Sequence, residues 1–266
     1  SGTLRLRTKV ERYAQLLNDC YLSIDLPNIY SPIVPLIGDI PTGTKESINP
    51  VSDAIGYEFQ WIRNIGYNMI QYVSILVNGQ EIVRHTGEWM KLYANLTFDG
   101  NKREILDRMV GNTPDMYDPA NSNGRFNQYP HSISTSTTNA EPSIYGRTLL
   151  IPLHFWFCET VGQALPLIAL QQSEVEIVVE LKNAFNLFTV RDVRQQVKDV
   201  ANTRFGVRIA PDTSASVFAL SHFLSPPSYT DPTTNVVPGL TSWNFNPFLE
   251  GNYIFLSDAE LAYVAR

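Results

Sequence analysis

With 266 residues, the chain is long enough for one large domain or two modest ones. Hydrophobic residues make up 44% and charged residues only 17%, with 20 Lys plus Arg against 26 Asp plus Glu for a net charge of -6. That balance excludes a nucleic-acid binder built on a concentrated basic face, and 13 Phe, 13 Tyr and 4 Trp exclude a disordered chain.

Ser1 to Arg12 is basic and polar, unlike a secretory signal. The chain starts without Met and stops in what reads as an ordered stretch at Tyr263 to Arg266, so it is expected to be part of a longer polypeptide. Cys20 to Leu26 alternates, with Leu22, Ile24 and Leu26 on one face and Tyr21, Ser23 and Asp25 on the other. Period two predicts a half-buried strand, which Pro27 ends. A loop rich in Pro, Gly and Ser follows to about Asp53. In Met69 to Arg84, Val73, Ile75 and Val77 alternate, Asn78-Gly79 follows and Ile82 resumes the pattern. Asn-Gly between β-rich arms favours a type I′ turn and predicts a hairpin.

From Gly87 the period changes. Trp89, Leu92, Tyr93 and Leu96 recur at helical spacing, and a second short helix is predicted over Lys102 to Val110, stopped at Gly111-Asn112. Thr113 to Tyr145 is polar and reads as a surface excursion. The apolar heart runs from Thr148 to Leu181. Leu149, Ile151 and Leu153 alternate, Phe155, Trp156 and Phe157 add aromatic bulk, and Val175, Ile177, Val179 and Leu181 point one way, leaving Glu176 and Glu180 as a solvent face. Trp156 is expected in the core, where its loss would cost ~3–5 kcal/mol. Pro152, His154, Glu159, Gln163 and Pro166 keep this stretch from being a membrane-spanning helix. Val190 to Ile209 is ambiguous: Val190, Val193, Val197 and Val200 fit a helical stripe, but valine is a mediocre helix former. Ser214 to Trp243 is proline-rich loop, and Asn252 to Leu256 opens a further strand. Short strands, long loops and few helices predict an all-β antiparallel sandwich or barrel.

Chemistry-bearing patterns are missing from the sequence. His85, His131, His154 and His222 lack metal-ligand spacing, and Cys20 and Cys158 form neither a zinc pair nor a disulfide framework. Both cysteines read as buried thiols in a reducing compartment. No Gly-x-Ser-x-Gly elbow or phosphate-cradling glycine loop is present. Lys102, Arg103 and Arg108 read as a solvated face or as ion-pair partners of Glu104 and Asp107. No catalytic, cofactor-binding or metal-binding residue is assigned, and no cofactor. A sandwich-fold enzyme using His85 stays open as a weaker reading, as does a carbohydrate-binding β-sandwich module presenting Trp243 or Tyr229.

Several blocks carry a resemblance. Thr148-Leu-Leu-Ile-Pro-Leu-His-Phe-Trp-Phe-Cys158, Ala164-Leu-Pro-Leu-Ile-Ala-Leu-Gln171 and Val175-Glu-Ile-Val-Val-Glu-Leu181 follow one another. Arg7 to Leu17, Trp61 with Asn64-Ile65-Gly66, and Asn78-Gly-Gln-Glu-Ile-Val-Arg-His-Thr-Gly-Glu-Trp89 precede them, and Asn252 to Leu256 with Asp258 to Glu260 comes last. Together they resemble the major capsid proteins of nucleocytoplasmic large DNA viruses, in family order, over residues 5 to 182 and 250 to 266.

The resemblance implies a jelly-roll β-sandwich with short helices in loops, one of two consecutive rolls. Residues 1–182 would form the N-terminal jelly roll, with its early strands missing; 183–248 would be an inter-roll excursion, and 249–266 the beginning of the second roll. It implies a structural protein, not an enzyme, forming homotrimeric capsomers of pseudo-hexagonal outline that tile an icosahedral shell. Implied partners are further copies, neighbouring capsomers and minor capsid proteins, with no direct nucleic-acid contact. The implied location is the virion, after assembly in the host cytoplasm.

Overall fold

A computed structural model of the chain describes residues 3–31, 57–125, 141–198, 204–209, 220–224 and 242–264. Most of the 28–53 loop and of the 214–243 loop, the middle of the 113–145 excursion, His131 and Tyr229 lie outside the described residues, as does the side chain of His222.

The strands are β1 (Leu4–Lys9), β2 (Leu16–Leu26), β3 (Tyr57–Trp61), β4 (Ile70–Val77), β5 (Gln80–Thr86), β6 (Arg147–Pro152), β7 (Leu165–Pro166), β8 (Val175–Leu181), β9 (Phe188–Lys198), β10 (Arg204–Ile209) and β11 (Phe248–Ile254). The helices are short: α1 (Ile65–Met69), α2 (Gly87–Thr97), α3 (Gly100–Met109), α4 (Pro114–Tyr117) and α5 (Asp258–Val264). Every strand pairing is antiparallel among the described residues.

One sheet runs β1-β8-β4-β5, a second runs β11-β2-β6 with β7 also on β2, and a third runs β10-β9-β3. The chain thus passes repeatedly between the first two sheets, with β1, β4 and β8 in one and β2 and β6 in the other. Burial supports this layout, at period two along β6 and at nearly every residue of β8. Cys20, Leu22, Ile24 and Leu26 of β2, Leu149 and Ile151 of β6, and Val175, Ile177 and Val179 of β8 all belong to one contiguous core. Alternation lets β6 bury one face, whereas the central strand β8 is covered on both.

The hairpin forms where expected. Tyr72 pairs with Thr86 and Val77 with Gln80, and Asn78 and Gly79 take φ of 52° and 79°. Positive φ at both turn positions defines type I′, whose twist matches the flanking strands. Helix α3 is capped by Asp99, which accepts from the Lys102 N–H, and Gly111 beyond its end adopts φ 71°.

Four expectations need correction or refinement. Residues 188–198 and 204–209 are strands, not a helix: β9 finds β3 on one side and β10 on the other, and β-branched valines suit such a ladder. Trp156 is 39% exposed while Phe155 and Phe157 are fully buried, because Trp156–Cys158 form a tight turn that points the first ring outward. Helix α2 buries Gly87, Met90 and Ala94 and turns Trp89, Leu92 and Leu96 toward solvent. Glu176 is buried, not solvated: both its carboxylate oxygens accept from the Arg7 guanidinium on the neighbouring β1, and that hydrogen bond holds its carboxyl below the usual range.

At β3, Phe59 is packed by Phe188 at 4.6 Å, Trp61 at 4.7 Å and Phe223 at 5.2 Å between ring centroids. The other face of β3 carries an ionic node. Glu58, with no exposed side-chain surface, lies 3.4 Å from Arg191 of β9 and accepts from the Ala120 N–H at 3.1 Å. Arg191 Nη2 donates to Asp118 at 2.8 Å. Buried charges persist only when paired in this way.

Candidate functional site

The densest set of chemistry-bearing side chains lies where β5, α2 and the segment after β6 meet. Thr86 ends β5 and caps α2, its hydroxyl accepting from the Trp89 N–H. Gly87 lets this corner close: a Cβ there would overlap the Tyr67 carbonyl oxygen and lie 2.6 Å from that of Ile70. The tight approach fixes a run of rings. His85 stacks on Trp89 at 4.0 Å, Trp89 on Tyr93 at 5.3 Å, and Tyr93 packs on His154 at 5.1 Å. Phe98 meets His154 edge-on at 5.6 Å.

His154 takes φ 49° at the end of β6, in the left-handed region that a non-glycine residue enters only when its surroundings impose it. Its Nε2 lies 2.6 Å from the Tyr67 hydroxyl. Burial pushes the Tyr67 phenol above its ordinary value and lowers His154 to about 4, with the nearby His85 adding to the drop. The hydroxyl therefore stays protonated and donates, and the imidazole stays neutral and accepts. Both directions oppose proton transfer at neutral pH, because the histidine is a weak base and the tyrosine a weak acid. The pair is a packed hydrogen bond inside an aromatic cluster.

A cavity of about 380 Å³ opens beside these rings, bordered by Asp19, Cys20, Lys102, His154, Cys158 and Glu159. No group of three or more His, Cys, Asp or Glu residues among the described ones is placed to hold a metal. Cys20 is buried as expected, but Cys158 is only half-buried. Their neighbouring positions had no signal in the sequence.

Other candidate residues go to structural duties. Arg108 pairs with Glu104 at 2.7 Å, Arg103 donates to the Asn95 carbonyl, and Asp107 accepts from Asn112 at 2.8 Å. Trp243 packs edge-on against Trp61 at 6.0 Å and donates its indole N–H to the Asp25 carbonyl at 2.7 Å, so its ring is engaged within the chain. Toward solvent, α2 and α3 leave Trp89, Leu92, Leu96 and Ile105 exposed, Leu96 by 77%. Apolar side chains shown on successive helices mark a contact surface more than a reaction centre.

These features define an antiparallel jelly-roll scaffold with exposed apolar side chains on α2 and α3. The family described as "Major capsid protein N-terminus" matches residues 3–220, and the chain belongs to that family, one of structural proteins and not of enzymes. It is 28% identical over 204 residues to "Probable capsid protein 4" of Acanthamoeba polyphaga mimivirus, covering 74% of this chain and 32% of that protein. It is 29% identical over 186 residues to a "Major capsid protein" of Chrysochromulina ericina virus, covering 67% and 32%. The fold aligns with the Faustovirus major capsid protein at a TM-score of 0.52 and 12% identity, covering 99% of this chain and 53% of that one. The chain spans about a third of the length of these curated relatives. The resemblance to the capsid proteins of large DNA viruses holds. Among the described residues, no helix is long and apolar enough to cross a membrane.

Proposed function

We propose that the chain is the N-terminal part of a capsid subunit that associates in threes, each trimer forming a capsomer of pseudo-hexagonal outline in an icosahedral shell. The observation that carries this reading is the family match over residues 3–220. Residues 1–182 then supply the N-terminal jelly roll, 183–248 the crossing between rolls, and 249–266 the opening of the second. The crossing is hydrogen-bonded back onto the scaffold through β9 and β3, and β11 onto β2. The subunit's partners are further copies, neighbouring capsomers and minor capsid proteins. Its place is the virion shell, built in the host cytoplasm.

Two physical features support self-association. The charge fraction of 17% is low, so identical copies approach with little repulsion. The exposed apolar residues of α2 and α3 suit burial against another protein surface. Closed assemblies arise when such patches match a rotation axis. Mass photometry of the full-length protein is the test. A dominant trimer is expected, and a strictly monomeric particle at micromolar concentration overturns the reading.

A further inference from the structure

Cys20 and Cys158 stand 138 residues apart in sequence, and the fold brings both to the lining of one cavity. Strand β2 pairs with β6 from Leu26↔Arg147 to Tyr21↔Pro152. One residue further on, the Leu153 N–H still donates to the Cys20 carbonyl at 3.0 Å. The chain then turns at His154, and a single tight turn over Trp156–Cys158 brings Cys158 back to β2. The Cys158 N–H is held by the Phe155 carbonyl at 2.9 Å, and the flanking rings of Phe155 and Phe157 are fully buried. Downstream, Leu165 pairs with Leu17 of β2. The segment carrying Cys158 is therefore tethered to β2 on both sides, and the two thiols lie within hydrogen-bonding reach of each other.

The two sulfurs are chemically unequal. Cys20 is 2% exposed, and its contact with Cys158 together with burial keeps its proton on. Cys158 receives hydrogen bonds from the Cys20 thiol and from backbone N–H groups, which together hold its thiol below the ordinary value. It also borders the cavity beside Lys102 and Glu159, which gives a small reagent a path to it. A half-buried, more acidic thiol beside a fully buried one is the arrangement of an attacking and a resolving cysteine.

We propose that Cys20 and Cys158 form an oxidisable pair that closes to an intramolecular disulfide on exchange with a small-molecule disulfide. The Cys158 thiolate attacks one sulfur of, for example, glutathione disulfide, forming a mixed disulfide and expelling one glutathione thiolate. The Cys20 thiol gives up its proton and attacks the Cys158 sulfur of that mixed disulfide, expelling the second glutathione. The two protein thiols are oxidised by two electrons, and one glutathione disulfide becomes two glutathione thiols. In a reducing compartment the reaction runs backward and the pair stays open. Once closed, the bond staples β2 to the segment after β6 and constrains a long loop of the unfolded chain, where loop-closure entropy is large. This chemistry is independent of the capsid reading, because it requires only the folded chain.

The test uses the purified full-length protein, incubated with glutathione disulfide, alkylated and digested without reduction. Peptide mapping by mass spectrometry is expected to find the Cys20 and Cys158 peptides joined, and separated again by dithiothreitol. Closure is expected to raise Tm by ~5–10 °C over the reduced protein, and Cys20→Ala or Cys158→Ser is expected to abolish the rise. Recovery of the two cysteines separately alkylated, or of Cys158 only as a glutathione adduct after prolonged exchange, overturns the proposal. A Tm rise that survives in Cys20→Ala overturns it too. If a variant fails to fold, the map of the unsubstituted protein still decides.

Discussion

Acidification should weaken this fold through His154 in a way that can be worked out in advance. In the unfolded chain its imidazole takes a proton near 6.5, and in the folded chain only near 4, because burial disfavours the charged form. Between those values the unfolded state binds more protons, so stability falls as pH falls. The contribution is fully present above 6.5 and is lost progressively down to about pH 4. The whole depression corresponds to about 3 kcal/mol, and about 2 kcal/mol of it is lost between about pH 7.5 and about pH 5. The assay is urea unfolding at intervals across that window, for the natural protein and for His154→Asn. Asparagine tolerates the left-handed backbone at this position and does not titrate. The variant is expected to be less stable at neutral pH, having lost the bond to Tyr67, but flatter with pH by about 2 kcal/mol. Parallel pH dependences in the two proteins would refute the idea that His154 is held neutral inside the ring cluster.

Two further substitutions probe the packing. Gly87→Ala should cost more than the ~1 kcal/mol range of helix propensities, because the added methyl group meets the backbone carbonyls of Tyr67 and Ile70, and a drop in the urea midpoint measures it. Phe157→Ala should cost ~3–5 kcal/mol, while Trp156→Ala, removing a ring that is 39% exposed, should cost less than half as much. Equal losses for the two would return Trp156 to the core.

Much of the scaffold was legible because local patterns and burial agree. The Asn78-Gly79 hairpin was readable, since its turn chemistry and alternation are both short-range. So was β6, where Leu149 and Ile151 alternate, with Leu153 just beyond its end. Helix α2 was readable as a helix but not in its orientation. Trp89, Leu92, Tyr93 and Leu96 make the louder stripe, yet the buried side consists of the smaller Gly87, Met90 and Ala94. The sequence contained the clue that Gly87 allows an approach no side chain permits. The exposure of Trp156 was not legible, because ring size argues for the core while the tight turn over Trp156–Cys158 that points it outward has no local signal. The strands at 188–209 were ambiguous because their partner β3 lies far upstream, and a stripe of valines fits either period. The ring cluster and the paired thiols were invisible for the same reason: each joins segments that only the folded topology brings together.

The pairing scheme also bears on how such a chain is made. Leu4 waits for Leu181, and although one edge of β2 is met by β6, Leu22 on its other edge waits for Leu249, so that edge stays open until nearly the whole stretch has left the ribosome. Contacts this remote in sequence make for slow closure. In the interval, the bare edge of β2 is a template for the β11 of a sister chain as readily as for its own. High local concentrations of nascent copies would therefore favour exchanged strands, and the pace of synthesis becomes a determinant of how many subunits mature singly.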